Sequence, residues 1–235
     1  MTAGETVLFV PGLGNDARLF EHQLAHLGEV GESRFAGMPT AASVGEMAAS
    51  IPAAAPPRFA LVGLSMGGYV AFEIIRRAPE RVTRLALLDT KAELDPPAAV
   101  EGRRAALTDI EAGRFVEHVE SRLPVLLGPT AFADPTLREA VRAMAMTTGP
   151  ERYAAQQRAI MDRPDSSGDL AGIACPTLVL CGRDDGLTPV DKHAAMATAI
   201  PRARLAVVEQ CGNLSALEQP QAVTALLRDW LVYDR

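Results

Sequence analysis

Five short apolar runs punctuate the chain, at residues 7–10, 59–64, 85–88, 178–180 and 205–208, each bounded by glycine, proline or polar turn residues. Runs this short, without polar alternation, predict strands buried on both faces. Between them the period changes. Residues 66–78 place Val70, Ile74 and Ala78 at four-residue intervals, and Val223, Leu226, Leu227, Trp230 and Leu231 make a stripe near the C-terminus. Both patterns predict amphipathic helices. Thr188-Pro189-Val190-Asp191 has the form of a helix start, with Thr188 as cap and proline in the first turn, and that helix is expected to reach Ile200. Strands alternating with helices imply a mostly parallel sheet covered on both faces.

The strand signal stops between Asp89 and Pro176, where residues 98–115 and 137–146 read as helices separated by proline- and glycine-containing breaks. The expected organisation is therefore an α/β core of residues 1–90 and 171–235, with a helical lid inserted at 91–170. Pro52-Ala53-Ala54-Ala55-Pro56-Pro57 is compositionally simple and reads as a loop, and no internal repeat is present.

Composition narrows the classes that remain. A chain of 235 residues, 48% of them hydrophobic, can build one sizeable core. Its net charge of −6 argues against a phosphate-binding surface and hence against nucleic acid as a partner. Cys175, Cys181 and Cys211 are an odd count in a chain of this size, which makes a disulfide framework improbable and suits a reducing compartment. The opening residues show no basic stretch followed by a long apolar run, and no run of about 18 apolar residues occurs anywhere. The expectation is a cytoplasmic protein with no membrane partner; nothing in the pattern sets an oligomeric state.

The chemistry concentrates at Gly63-Leu64-Ser65-Met66-Gly67, where an apolar strand meets a helical pattern. A serine on so sharp a turn has strained backbone angles, and side chains two residues before and after would collide, which is why both flanking positions must be small. The serine hydroxyl then projects above the sheet while the N–H of Met66, at the helix N-terminus, points into the same space. Val10-Pro11-Gly12-Leu13-Gly14-Asn15 is a second glycine-rich turn after the first strand, and the Leu13 N–H is the candidate second donor. It lacks the third glycine and the acidic ribose ligand of a dinucleotide site.

These features resemble the α/β-hydrolase superfamily, in particular its small bacterial esterase-like and lactonase-like members with a helical cap. The resemblance spans nearly the whole chain. It rests on Pro11-Gly12-Leu13-Gly14, the Gly63–Gly68 elbow, Leu88-Asp89-Thr90, Gly182-Arg183-Asp184-Asp185 with Pro189, and Cys211-Gly212-Asn213 with Glu218 and Pro220. It implies Ser65 as nucleophile, Leu13 and Met66 as oxyanion donors, and Asp185 as the acid, with Asp184 and Asp89 as rivals. It also implies a histidine after the last strand, and there this chain has Asn213.

An amide donates and accepts hydrogen bonds but takes no proton near neutral pH, so Asn213 can hold geometry without acting as general base. None of the four histidines replaces it convincingly. His193 reads as helix-surface packing, His118 belongs to the lid, and His22 and His26 share a helix face at i, i+4 with no third metal ligand apparent. Cys211 reads as a packing residue. The expected activity is that of a serine hydrolase of a carboxylic ester, thioester or lactone, acting on a small-molecule acyl substrate without metal or organic cofactor. The chain itself is expected to be nearly inactive through Asn213, as a substrate-trapping variant would be. The alternative is a natural binding or receptor protein, or a lyase or isomerase, on the same scaffold.

Overall fold

The computed structural model describes residues 5–233. Six strands form one parallel sheet: β1 (Glu5–Val10), β2 (Gly31–Phe35), β3 (Phe59–Leu64), β4 (Val82–Leu88), β5 (Thr177–Gly182) and β6 (Ala203–Val208), in the order β2-β1-β3-β4-β5-β6. The five anticipated strands are all present. β2 is an addition to that pattern: Gly31-Glu32-Ser33-Arg34-Phe35 lies at the sheet edge, where Glu32 and Arg34 are exposed, so it has no continuous apolar run.

Successive residues of the inner strands feed opposite cores. Leu8, Val10, Leu61, Leu85, Leu87 and Val179 face α2 (Val44–Ala53), α3 (Met66–Arg77) and α9 (Val190–Ala199). Val7, Phe9, Val62, Leu88, Leu178 and Leu180 face α1 (Glu21–His26) and α11 (Pro220–Tyr233), where Trp230 is wholly buried. Burial on both faces is why these strands read as unbroken hydrophobic runs.

Five helices fill the interval between β4 and β5: α4 (Pro97–Glu111), α5 (Phe115–Leu126), α6 (Pro129–Ala133), α7 (Pro135–Thr148) and α8 (Pro150–Met161). They enclose a small core of their own, built from Ile110, Phe115, Val119, Ala145, Tyr153 and Ala154, against which Leu13 packs. The turn after β1 thus meets the helical insertion directly. A short helix, α10 (Ser215–Glu218), precedes α11.

Two local expectations are corrected here. Pro52 and Ala53, expected in a loop, form the end of α2. Pro189, not Thr188, occupies the N-cap of α9, and no side chain caps that end. Thr188 is one residue too early, and its hydroxyl donates instead to Asp185.

Strand order dictates where a ligand can sit. β1 connects to β2 on one side and its other neighbour β3 connects to β4 on the opposite side, so the connections leaving the carboxyl ends of β1 and β3 run in opposite directions. A crevice opens at such a reversal. The turn bearing Leu13 follows β1, and Ser65 follows β3.

Candidate active site

Ser65 joins β3 to α3 with φ 52° and ψ −112°. A non-glycine residue in that region costs on the order of 1–3 kcal/mol and persists only where its surroundings over-determine it. Here the Ser65 N–H donates to the Leu88 carbonyl at 2.8 Å, and the Ser65 carbonyl accepts from the Thr90 hydroxyl at 2.8 Å and the Gly68 N–H at 2.9 Å. The neighbouring glycines are sterically compelled. A Cβ on Gly63 would stand 2.4 Å from the Gly67 carbonyl oxygen, and one on Gly67 would stand 2.1 Å from that of Val10.

That close approach presses the start of α3 against the turn after β1. A Cβ on Gly12 would contact the Ser65 Cβ at 3.4 Å, and the Gly14 N–H donates to Gln156 Oε1 of α8 at 2.9 Å. Met66 begins α3, so its N–H has no helical carbonyl to serve. Among the described residues the Leu13 N–H also has no acceptor.

Asp185 follows β5 and is 3% exposed. Its Oδ1 accepts from the N–H groups of Leu187 (2.8 Å) and Thr188 (2.9 Å), and its Oδ2 accepts from the Thr188 hydroxyl (2.6 Å) and from Asn213 Nδ2 (2.8 Å). Asn213 Nδ2 also lies 3.2 Å from Thr188 Oγ1 and donates to the Asp89 carbonyl at 3.1 Å. These oxygens fix which end of the amide faces Asp185, because Oδ1 in that place would oppose a carboxylate. Asn213 Oδ1 is therefore turned away, buried and without a partner.

Two further carboxylates hold the loops around this pair. Glu218 Oε2 accepts from the N–H groups of Gly212 and Gly128, both at 2.9 Å, and Oε1 accepts from Leu214 N–H at 3.0 Å. The Asn213 N–H donates to the Leu126 carbonyl at 2.9 Å, which fastens the C-terminal end of α5 to the Asn213 loop. Replacing Glu218 by alanine leaves three buried N–H groups without acceptors. The expected cost is about 3 kcal/mol, read as a lowered urea midpoint with an unchanged slope.

Asp89, a rival for the acid, does other work. Its Oδ1 accepts from Gly182 N–H (3.1 Å) and its Oδ2 from Ser215 N–H (3.0 Å), tying the end of β4 to β5 and α10. Burial first, and then the charge of Asp185, push its carboxyl well above the usual range. Asp184 is exposed.

Ser65 and Asn213 line one cavity of about 510 Å³ with Leu13 and Thr188, roofed by residues of α4, α5 and α8. That volume suits a small organic ligand. His118 lines the same cavity from α5, edge-on to Tyr153 with ring centroids 5.6 Å apart. The other histidines are elsewhere. His193 is fully buried, a correction to its surface reading: its Nε2 accepts from Thr90 N–H at 3.0 Å, so its proton resides on Nδ1, near the Pro189 carbonyl. Burial lowers its pKa in keeping with this neutral form. His22 and His26 stack on each other, and His22 Nδ1 lies 2.8 Å from Thr224 Oγ1. Among the described residues no group of three His, Cys, Asp or Glu side chains is arranged to hold a metal, and no helix is long and apolar enough to cross a membrane. Burial pushes the thiols of Cys181 (to about 12) and Cys211 upward, away from a reactive thiolate.

Comparison with known proteins agrees with this architecture. A family model described as "Alpha/beta hydrolase family" matches residues 7–226. A protein of Klebsiella pneumoniae subsp. pneumoniae named "Putative carbamate hydrolase RutD" is 30% identical over 83% of this chain and 74% of its own length. A thermophilic esterase from Thermogutta terrifontis, solved with malate bound, superposes with a TM-score of 0.89 at 32% identity, covering 99% of this chain and 91% of that one. A pimeloyl-[acyl-carrier protein] methyl ester esterase of Nitrosomonas europaea is 26% identical over 76% of this chain and 73% of its own length.

Proposed function

Because the chain belongs to the alpha/beta hydrolase family, with esterase relatives, we propose that it is built to bind a small carboxylic ester, thioester or lactone for attack by Ser65, and that Asn213 stands where the general base is needed. The observation that carries this reading is the 2.8 Å bond from Asn213 Nδ2 to Asp185 Oδ2, beside the cavity that Ser65 shares. It is the bond an imidazole Nδ1–H makes to its orienting acid.

In the full reaction Ser65 Oγ adds to the acyl carbonyl, the Leu13 and Met66 N–H groups hold the oxyanion, and the leaving group departs with a proton. Water then releases the acyl group. The base must accept the Ser65 proton in the first half and pass it to the leaving group. The Asn213 amide keeps its place in the network but has no proton affinity near neutral pH. In a serine protease, loss of the histidine costs on the order of 10⁶ in turnover, leaving what the oxyanion hole and binding provide. Segment 91–170 serves as the lid, and selectivity resides in its cavity-facing side chains.

The test is direct. Purified protein should hydrolyse p-nitrophenyl acetate at close to the buffer rate, and efficient turnover would overturn the reading. The source gene's codon at position 213 separates a substrate-trapping substitution, which requires a histidine codon, from a natural asparagine. The unpartnered Asn213 Oδ1 favours a second reading, a binding protein or a lyase or isomerase in which that oxygen accepts a hydrogen bond from the ligand. Tight binding of a non-acyl ligand, weakened by Asn213→Leu, would select it.

A further inference from the structure

Among the described residues, one cation lining the cavity has no partner. Of its two carboxylates, Asp95 is already engaged by Lys91 (2.8 Å), Arg103 (2.6 Å) and Arg163 (3.1 Å), and Asp109 by Arg114 (2.6 Å). Arg103 is further committed to Gln157 Oε1 at 2.6 Å. Arg122, half-buried on α5, lines the cavity and has no hydrogen bond or ion pair among the described residues. One helical turn before it, His118 also lines the cavity, and its Nε2 is buried with no partner.

A guanidinium keeps its charge in any protein environment, and burying it unpaired is costly unless a ligand supplies the counter-charge. Burial lowers the Arg122 pKa; Tyr153 opposes this in part, and the nearby Arg103 charge adds to it. His118 is likewise held below its ordinary pKa, by burial first and by Arg122 second, so the imidazole is neutral near pH 7. Its Nε2–H tautomer can then donate to an anion that Arg122 attracts. The insertion packs its own apolar side chains around Tyr153, and Arg122 and His118 are the neighbouring polar residues of α5 that line the cavity.

We propose that Arg122, with His118 beside it, forms an anion subsite in the roof of the cavity, and that the acyl substrate therefore carries a second, free carboxylate remote from the carbonyl facing Ser65. The inference rests on the hydrolase reading for the identity of the reacting end, but the subsite itself is a binding property. Arginine matches a carboxylate through two parallel N–H donors, which fixes the orientation of the ligand as well as attracting it. A half-ester of a short dicarboxylic acid satisfies both ends.

The chain as it stands suits a calorimetric test, since Asn213 prevents consumption of the ligand. Monomethyl glutarate should bind at least about tenfold more tightly than dimethyl glutarate at low ionic strength. Arg122→Gln should abolish that preference, Arg122→Lys should retain part of it, and His118→Gln should reduce it by less than Arg122→Gln does. Equal binding of the two esters, undetectable binding of the half-ester at millimolar concentration, or a preference that survives Arg122→Gln in a protein with unchanged circular dichroism would overturn the proposal. The Asn213→His background separates the two readings. If it hydrolyses both esters alike and ignores Arg122→Gln, the hydrolase reading stands and the anion subsite falls. If it hydrolyses neither while the Arg122-dependent binding preference persists, the subsite stands and the hydrolase reading falls.

Discussion

Replacing Asn213 by histidine is expected to raise ester turnover by up to the order of 10⁶-fold. The surrounding groups already satisfy what an imidazole needs. Asp185 Oδ2 waits 2.8 Å from the present Nδ2, and Asp185 is fixed by the two N–H donors and the Thr188 hydroxyl, so an Nδ1–H placed there meets an acceptor that does not have to move. The ring is longer than the amide, so its Nε2 extends past the position of the unpartnered Oδ1, and residue 213 and Ser65 line the same cavity. The Ser65 elbow is clamped by its own backbone bonds and does not depend on residue 213. The gain should therefore appear mainly in kcat. A fluorophosphonate probe should label Asn213→His protein on Ser65 and leave Asn213→His/Ser65→Ala unlabelled. Turnover should fall on acidification with a midpoint near the imidazole range, about pH 6.5, because the protonated ring cannot take the serine proton. A folded Asn213→His protein that neither turns over aryl esters nor labels would sink the hydrolase reading.

How far the sequence could reach depended on whether a feature was local. The elbow was legible because its constraint is carried by neighbours in the chain: strand, Gly63, Ser65, Gly67, helix. The inner strands were legible because burial on both faces leaves no polar alternation. β2 escaped because an edge strand pairs on one side only and leaves Glu32 and Arg34 exposed, a pattern shared with loops. Thr188 was visible as a hydroxyl before a proline, but only the folded loop shows that its side chain serves Asp185 and Asn213 and leaves α9 uncapped. His193 was visible as a helical histidine, yet its Nε2 is covered by the Thr90 N–H of the chain leaving β4, more than a hundred residues earlier in the sequence. Arg122 is the extreme case. An arginine on an amphipathic helix ordinarily faces water, and its isolation follows only from where every other charge in the cavity has found a partner.

Asp95→Ala is expected to destabilise the fold by about 3–5 kcal/mol, the penalty for stranding buried charge by removing its partner. The Asp95 side chain is 3% exposed and receives Lys91, Arg103 and Arg163, so a single carboxylate joins the chain leaving β4 to α4 and to the end of α8. Arg163 is itself 3% exposed and packs 4.1 Å over the Tyr69 ring, where no water can replace the lost counter-charge. Replacing an ion-pair hub by a methyl group therefore leaves three cations facing one another, and urea denaturation followed by circular dichroism should register the loss. The pH dependence distinguishes this electrostatic role from simple packing. Burial works to raise the Asp95 pKa, but the Arg103 charge and the hydrogen bonds from Lys91, Arg163 and Arg103 outweigh it and hold the carboxyl well below its usual range. A carboxyl depressed on folding contributes its full stabilisation above the unfolded value, about pH 4, and loses it as pH falls toward the folded value. The gap in stability between the native protein and Asp95→Ala should consequently be constant from pH 7 to about 5 and narrow below pH 4. A gap that did not change with pH would assign Asp95 to packing alone. A gap that widened on acidification would reverse the sign and overturn the ion-pair account.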